Sequence, residues 1–287
     1  MIHCIDRVQV VVRDPERAAA VWSRLLGAEA VREDALEAAR AHRTVLALGE
    51  SEVELLRPTG PGPAADHLGA WGEGLFAAGL AATDLGAIRK RLVASGIRWT
   101  EEGEQLFIEP SETRGLRLVI GGVRVPERPA TGLLGRVYEV TQLVRDWKQT
   151  AAHYAEFAGL DPDRFCEITS ERYGYTGSLL LFDPPERLDR IELCQVTDPE
   201  RAMGRFFRLH SESLYMCYAE CDDTGALVER LRACDAQFSG AEQETAPPNL
   251  FIHPSALCGV LFGVSRTHHA WTWSGRPELA RGSSTEE

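Results

Sequence analysis

No apolar run in this chain approaches the roughly 18–20 residues that a bilayer-spanning helix needs. No CxxC pair occurs among the seven cysteines, at positions 4, 166, 194, 217, 221, 234 and 258. An odd number of scattered thiols argues against a disulfide framework and for reduced cysteines in a cytoplasm. Excess positive charge is also missing. The net charge is -12, which excludes nucleic acid as a partner, since a phosphate backbone demands a basic face. Ser-His-Asp triads, phosphate loops and dinucleotide fingerprints are absent; Gly72-Glu-Gly74 lacks a following lysine and a suitable preceding strand. Met1 leads straight into a polar-interrupted strand pattern, so no secretion signal is expected. These features lead us to expect a cytoplasmic protein with no membrane partner.

What the chain does have is internal duplication. The run from Ile5 to Asp14 (IDRVQVVVRD) resembles that from Val137 to Asp146 (VYEVTQLVRD). Val53–Leu56 resembles Ile191–Cys194, Asp84–Leu92 resembles Asp223–Leu231, and Leu106–Ser111 resembles Leu250–Ser255. The matches keep their order and their offset only grows, as a duplication with small insertions requires. With 287 residues and 44% hydrophobic content, two domains are the natural expectation. We place domain 1 at 1–124, a linker rich in turn formers at 125–134, domain 2 at 135–267, and an aromatic tail at 268–287 whose end, Ser283–Glu287, is polar and expected to be disordered.

Each half reads as two smaller units. Val8–Val12 alternates and is β-branched, as a strand requires. Asp14 then caps a helix with Pro15 at its first position, which runs to Leu26 and stops at Gly27. Strands follow near 44–48 and 52–57, and the prolines at 58–63 read as a linker. A strand at 79–82, a helix capped by Asp84, and strands near 106–109 and 116–120 complete domain 1. The expected fold class is α+β: four βαβββ units forming two tandem domains of curled, mixed or antiparallel sheet with helices outside.

This pattern resembles the vicinal-oxygen-chelate superfamily, the glyoxalase, methylmalonyl-CoA epimerase, extradiol-dioxygenase and bleomycin-resistance group. The strand–Asp-Pro-Glu–helix–Leu-Leu-Gly run carries the likeness, with the Val-Glu-Leu-Leu strand and Phe251-Ile-His-Pro254 before Gly259-Val-Leu261. The resemblance implies metal ligands from four strands. The matching positions are Arg7, Glu54, Ala78 and Val119 in domain 1. In domain 2 they are Glu139, Glu192, Cys217 (Met216 if the register slips by one) and Gly263. Arg7 offers a metal no lone pair, so domain 1 is expected to bind none. Domain 2 retains Glu139, Glu192 and Cys217 as a weak metal set, so the cofactor is either none or a divalent metal.

Strand alternation puts Glu139 with Thr141 on one face and Glu192 with Cys194 on one face. If both faces line one cup, two carboxylates converge there, and mutual repulsion would split them into acid and base. The plain alternative is that both are solvated or paired with arginines such as Arg136 and Arg190. The catalytic candidates are therefore Glu139, Glu192, Cys217 and His253; the last also suits a structural role in its loop. Trp271, Trp273, His210 and Arg266 are candidates for substrate binding, the tryptophans as a wall for a planar ligand or as a clamp on the tail. Two functions stay open: an isomerase-, lyase- or dioxygenase-like enzyme acting on a small oxygenated, perhaps aromatic, metabolite in domain 2, or a metal-free protein that sequesters such a compound. The partner is a small-molecule ligand, with a homodimer as an option.

Overall fold

The computed structural model describes residues 1–123, 130–240 and 244–280. Position 124, residues 125–129 of the expected linker and the Ser283–Glu287 end lie outside the described residues.

Domain 1 begins with β1 (Ile2–Val11) and α1 (Pro15–Leu26), then β2 (Glu29–Leu36), β3 (Ala41–Leu48) and β4 (Ser51–Pro58). A second helix, α2 (Pro63–Trp71), precedes β5 (Gly74–Ala82), α3 (Leu85–Ala94), β6 (Thr100–Glu102), β7 (Gln105–Ile108) and β8 (Leu118–Gly122). Domain 2 repeats the series with β9 (Val137–Val144), α4 (Trp147–Ala158), β10 (Phe165–Ser170), β11 (Tyr175–Leu181) and β12 (Arg190–Val196). It continues through α5 (Ala202–His210), β13 (Ser213–Cys221), α6 (Thr224–Ala233), β14 (Phe238–Ser239), β15 (Asn249–Ile252) and β16 (Phe262–Arg266). Two 3-10 turns, His269–Trp273 and Pro277–Ala280, end the described chain.

Local chemistry explains the main helices. Asp14 accepts from the Arg17 amide, Asp84 from Ala87, Asp146 from Gln149 and Asp223 from Ala226, so four of the six helices carry an aspartate N-cap. Gly27 and Gly159 end α1 and α4 in the left-handed region. The segment expected to be only a linker at 58–63 instead feeds α2, because Pro63 occupies the first helical turn, where its missing N–H costs nothing.

Each domain is one eight-stranded sheet, ordered β2-β3-β4-β1-β5-β8-β7-β6 and β10-β11-β12-β9-β13-β16-β15-β14. Strand order matches position for position, as the duplication predicts. Neighbours pair antiparallel except β1–β4, β5–β8, β9–β12 and β13–β16, which are parallel. One face of each sheet packs on helices. Those two faces share a single core, which runs from Val8, Trp22 and Leu118 in domain 1 to Val140, Tyr154 and Phe262 in domain 2. The opposite, concave faces form separate clusters: Val11, Leu56, Phe76 and Val119 in domain 1, and Tyr138, Leu179, Met216 and Tyr218 in domain 2.

Candidate functional site

The central strand of each sheet carries a β-bulge that decides which side chains reach the concave face. In domain 1 the pairing moves from Ile5↔Leu80 to Arg7↔Gly79, leaving Asp6 as the extra residue. In domain 2 it moves from Tyr218↔Glu139 to Ala219↔Val137, leaving Tyr138. A bulge sets two residues against one and re-aims the side chains beside it. Tyr138 therefore joins the concave cluster next to Glu139, which lines the cavity there, while Val137 and Val140 enter the shared core.

Glu139 pairs across the ladder with Arg190, and Thr141 with Glu192. The four side chains form one buried network. Arg190 Nε donates to Glu139 Oε2 at 2.6 Å and its Nη1 donates to Ser274 Oγ at 2.9 Å. The Thr141 hydroxyl donates to Glu192 Oε2 at 2.7 Å and lies 3.5 Å from Glu139 Oε1. Tyr175 donates to Glu192 Oε1 at 2.8 Å. Glu139 is 2% exposed and Glu192 6%, so neither is solvated. Burial pushes the Glu139 pKa up to about 7; Arg190 opposes the rise and the nearby Glu192 adds to it.

Both glutamates line one cavity of about 1010 Å³. Its walls are Met216, Tyr215, Tyr218, Phe251, Leu261 and Trp273, and α5 contributes Met203 and Arg205 at the edge. His253 also lines it, with Nε2 3.2 Å from Ser239 Oγ. Glu139, Glu192, His253 and Trp273 are thus brought together.

The other candidates are placed elsewhere. Cys217 faces the shared core, because Met216 and Tyr218 on either side of it take the concave positions. The one-residue slip toward Met216 is what the bulged strand adopts. The same holds in domain 1, where Ala78 lies in the core and Ala77 on the concave face. Trp271 is 3% exposed and clamps the tail within the concave cluster with Tyr138 and Leu188 rather than forming a wall of the cavity. His210 stacks on Trp71 of α2 at 4.4 Å and on Phe206 at 4.3 Å, forming a joint between the domains. Arg266 is exposed at the end of β16 and its backbone amide bonds to Pro248. Of the two arginines expected as partners, Arg190 takes Glu139, whereas Arg136 goes to Asp189 at 3.6 Å and Glu220 at 3.3 Å. Thr141 was legible only as a neighbour on the Glu139 face; Phe251 was legible only as part of the Phe251–Pro254 run, and Tyr175 gave no signal.

A metal ion fits neither cup. In domain 1, Glu54 accepts from Gln9 Nε2 at 2.7 Å, from Arg43 at 3.2 Å and from Arg7 at 3.5 Å. The stem of Arg7 also crosses the floor so closely that a Cβ on Gly79 would lie 2.1 Å from it. In domain 2 a guanidinium already neutralises Glu139, and the Tyr218 ring covers Gly263, where a Cβ would meet it at 2.3 Å. Among the described residues no three His, Cys, Asp or Glu side chains are grouped to hold a metal. A buried arginine, Arg7 in domain 1 and Arg190 in domain 2, stands beside the glutamate of each cup.

Residues 6–107 match the family model described as Glyoxalase/Bleomycin resistance protein/Dioxygenase superfamily. No curated protein matches the chain by sequence. Among solved structures it is similar to a triple mutant of 4-hydroxymandelate synthase from Streptomyces coelicolor, with TM-score 0.66, 14% identity and 93% of each chain covered. It is also similar to a xylose isomerase-like TIM barrel/4-hydroxyphenylpyruvate dioxygenase fusion protein, with TM-score 0.62 and 13% identity, over 93% of this chain and 49% of that one. Methylmalonyl-CoA epimerase from Mycobacterium tuberculosis matches over 49% of this chain and 93% of its own, at 22% identity and TM-score 0.42. The first two likenesses establish a shared fold over nearly the whole chain. The protein is an α+β tandem of curled sheets, and the family match lies within its first half, at residues 6–107. Among the described residues no helix is long and apolar enough to cross a membrane.

Proposed function

We propose that domain 2 is an enzyme active site that moves a proton next to a carbonyl of an oxygenated, aromatic small molecule, in an isomerase- or lyase-type reaction. The observation that carries this reading is the pair of buried carboxylates facing one cavity, with Glu139 able to hold a proton near neutral pH. A general acid–base group works best when its pKa lies near the working pH. Glu139 Oε2 is engaged by Arg190, which leaves Oε1 as the atom that takes and returns the proton. Arg190 steadies the carboxylate whenever that proton is on the substrate. Thr141 and Tyr175 hold Glu192 by both oxygens, which makes it a fixed negative partner rather than the mobile base. His253 supplies a second titratable group on the cavity wall. No metal enters this scheme, because the residues present do not form a cage for one.

The test is proton exchange in D2O, followed by NMR, on a panel of aryl ketones and aryl 2-oxo acids. The wild-type protein should exchange one substrate C–H, and Glu139→Gln should slow exchange by about 10²–10⁴-fold while ligand affinity, read by calorimetry, persists. Unchanged exchange in a folded Glu139→Gln protein would end the reading. A cavity of this volume with ring-lined walls also favours a second function, metal-free sequestration of a planar compound. Tight binding with no exchange, tolerant of the same substitution, is its signature.

A further inference from the structure

The cavity of domain 2 carries more information about its ligand than the reacting group alone. Its volume of about 1010 Å³ lies at the upper end of the range for small-molecule sites, roughly 300–1,000 Å³. A single-ring metabolite would leave much of it unfilled. Aromatic side chains approach from several strands: Tyr175 from β11, Tyr215 and Tyr218 from β13, Phe251 from β15, and Trp273 from the tail. Phe251 meets Tyr218 edge to face, with centroids 5.5 Å apart and planes at 69°. Such walls present negative ring faces to whatever lies between them.

The sign of the preferred charge follows from the floor. Glu139 and Glu192 face one buried guanidinium, Arg190, so once the pH passes the value of about 7 at which Glu139 gives up its proton, the floor carries one uncompensated negative charge. The rim carries four arginines against three carboxylates: Arg172, Arg201, Arg205 and the outer Arg208 face Glu167, Asp198 and Glu200, with Arg201 on Asp198 and Arg208 on Glu200, both at 3.2 Å. These groups are largely exposed, so water screens them far more than it screens the buried floor. An anion brought to this floor would be desolvated beside a like charge. A cation would find a carboxylate and several ring faces, the combination that binds ammonium groups. The net charge of -12 adds a long-range attraction of the same sign.

We propose that the ligand of domain 2 carries a basic nitrogen on an aromatic or heteroaromatic frame, with its ammonium group against the Glu139–Glu192 floor and its rings between the Tyr218, Phe251 and Trp273 walls. This rests on reading the two glutamates as one working pair, but it concerns binding and not turnover.

The experiment is calorimetric titration of the whole protein with two size-matched probes, 1-naphthylmethylammonium and 1-naphthylacetate, at one ionic strength and about one pH unit above the Glu139 value of about 7. The cation should bind at least about ten-fold more tightly than the anion. Glu192→Gln should reduce that preference to less than about three-fold. Phe251→Ala, which shortens a wall without touching the floor, should weaken the cation and keep the preference; it serves as the informative variant if Glu192→Gln does not fold. Equal or tighter binding of the anion, or no binding of either probe at millimolar concentration, overturns the proposal. Cation preference without C–H exchange would leave it standing while removing proton transfer; exchange with anion preference would do the reverse.

Discussion

At position 139 a carboxylate is buried beside a guanidinium and a second carboxylate. Burial raises its pKa from the usual 4.5 to about 7. Between those two pH values the native state holds a proton that the unfolded chain has released. The native state therefore binds more protons there, and stability falls as pH rises through that window, by about 1.4 kcal/mol for each pH unit crossed. It is greatest below the lower value and levels off above the upper one. Urea denaturation across this range should show the decline in the wild-type protein and a flatter profile in Glu139→Gln; identical slopes would deny Glu139 its proton at neutral pH. The same substitution removes the counter-ion of Arg190, which is fully buried. Breaking a buried pair costs about 3–5 kcal/mol, and the Gln carbonyl, still able to accept from Arg190 Nε, should hold the loss at the low end. The partner at 2.6 Å thus gives the substitution a measurable folding penalty. Residue identity and strand alternation made the two glutamates legible. The depth of their burial was not, because Arg190, the partner of Glu139, is itself held by Ser274 of the tail, 84 residues further along.

At the scale of the element, alternation is reliable only while a strand keeps its register. Counting along β9 correctly separates Val140 from Glu139 and Thr141. Counting along β13 turns on a single residue, and the bulges between Leu214 and Met216 and between Tyr218 and Ala219 lie beyond what composition reveals. Cys217 consequently packs in the core instead of the cup. Cys217→Ala should cost about 1 kcal/mol of stability through a small void and leave naphthyl-probe affinity unchanged. Tyr218→Ala should weaken that affinity about ten-fold by removing a wall. A loss of binding in Cys217→Ala with normal stability would return the thiol to the site. The helices α2 and α5 were illegible for a different reason. Each is nine residues long, and each is stabilised where it meets the other through Trp71, Phe206 and His210. An isolated helix of that length is marginal in water, so its signal is tertiary.

For the whole molecule, duplication was the most legible feature, yet it gave no hint of how the copies meet. Their helix-covered faces share one core, with Trp22 of α1 packed edge-on against Phe262 of β16 at 5.7 Å. Polar ties reinforce it: the Ile5 amide donates to Asp189 at 2.9 Å, the Val137 amide to Ser51 Oγ at 2.9 Å, and Gln142 Nε2 to the Arg114 carbonyl at 2.7 Å. Domains joined by polar interfaces of modest size usually move and unfold separately. Here the apolar contact is continuous, so neither sheet can lose its helices without exposing the other's core. We therefore expect one cooperative unfolding transition. Trp22→Ala, a domain 1 substitution that leaves a large internal void, should cost about 3–5 kcal/mol. Hydrogen-exchange protection should then fall together in β1–β5 and in β9–β13. The domain 2 cup would weaken along with the distant helix, because both are held by the same core. Two separate melting transitions, or loss of protection confined to domain 1, would show that the copies fold independently and that domain 1 is dispensable to the site.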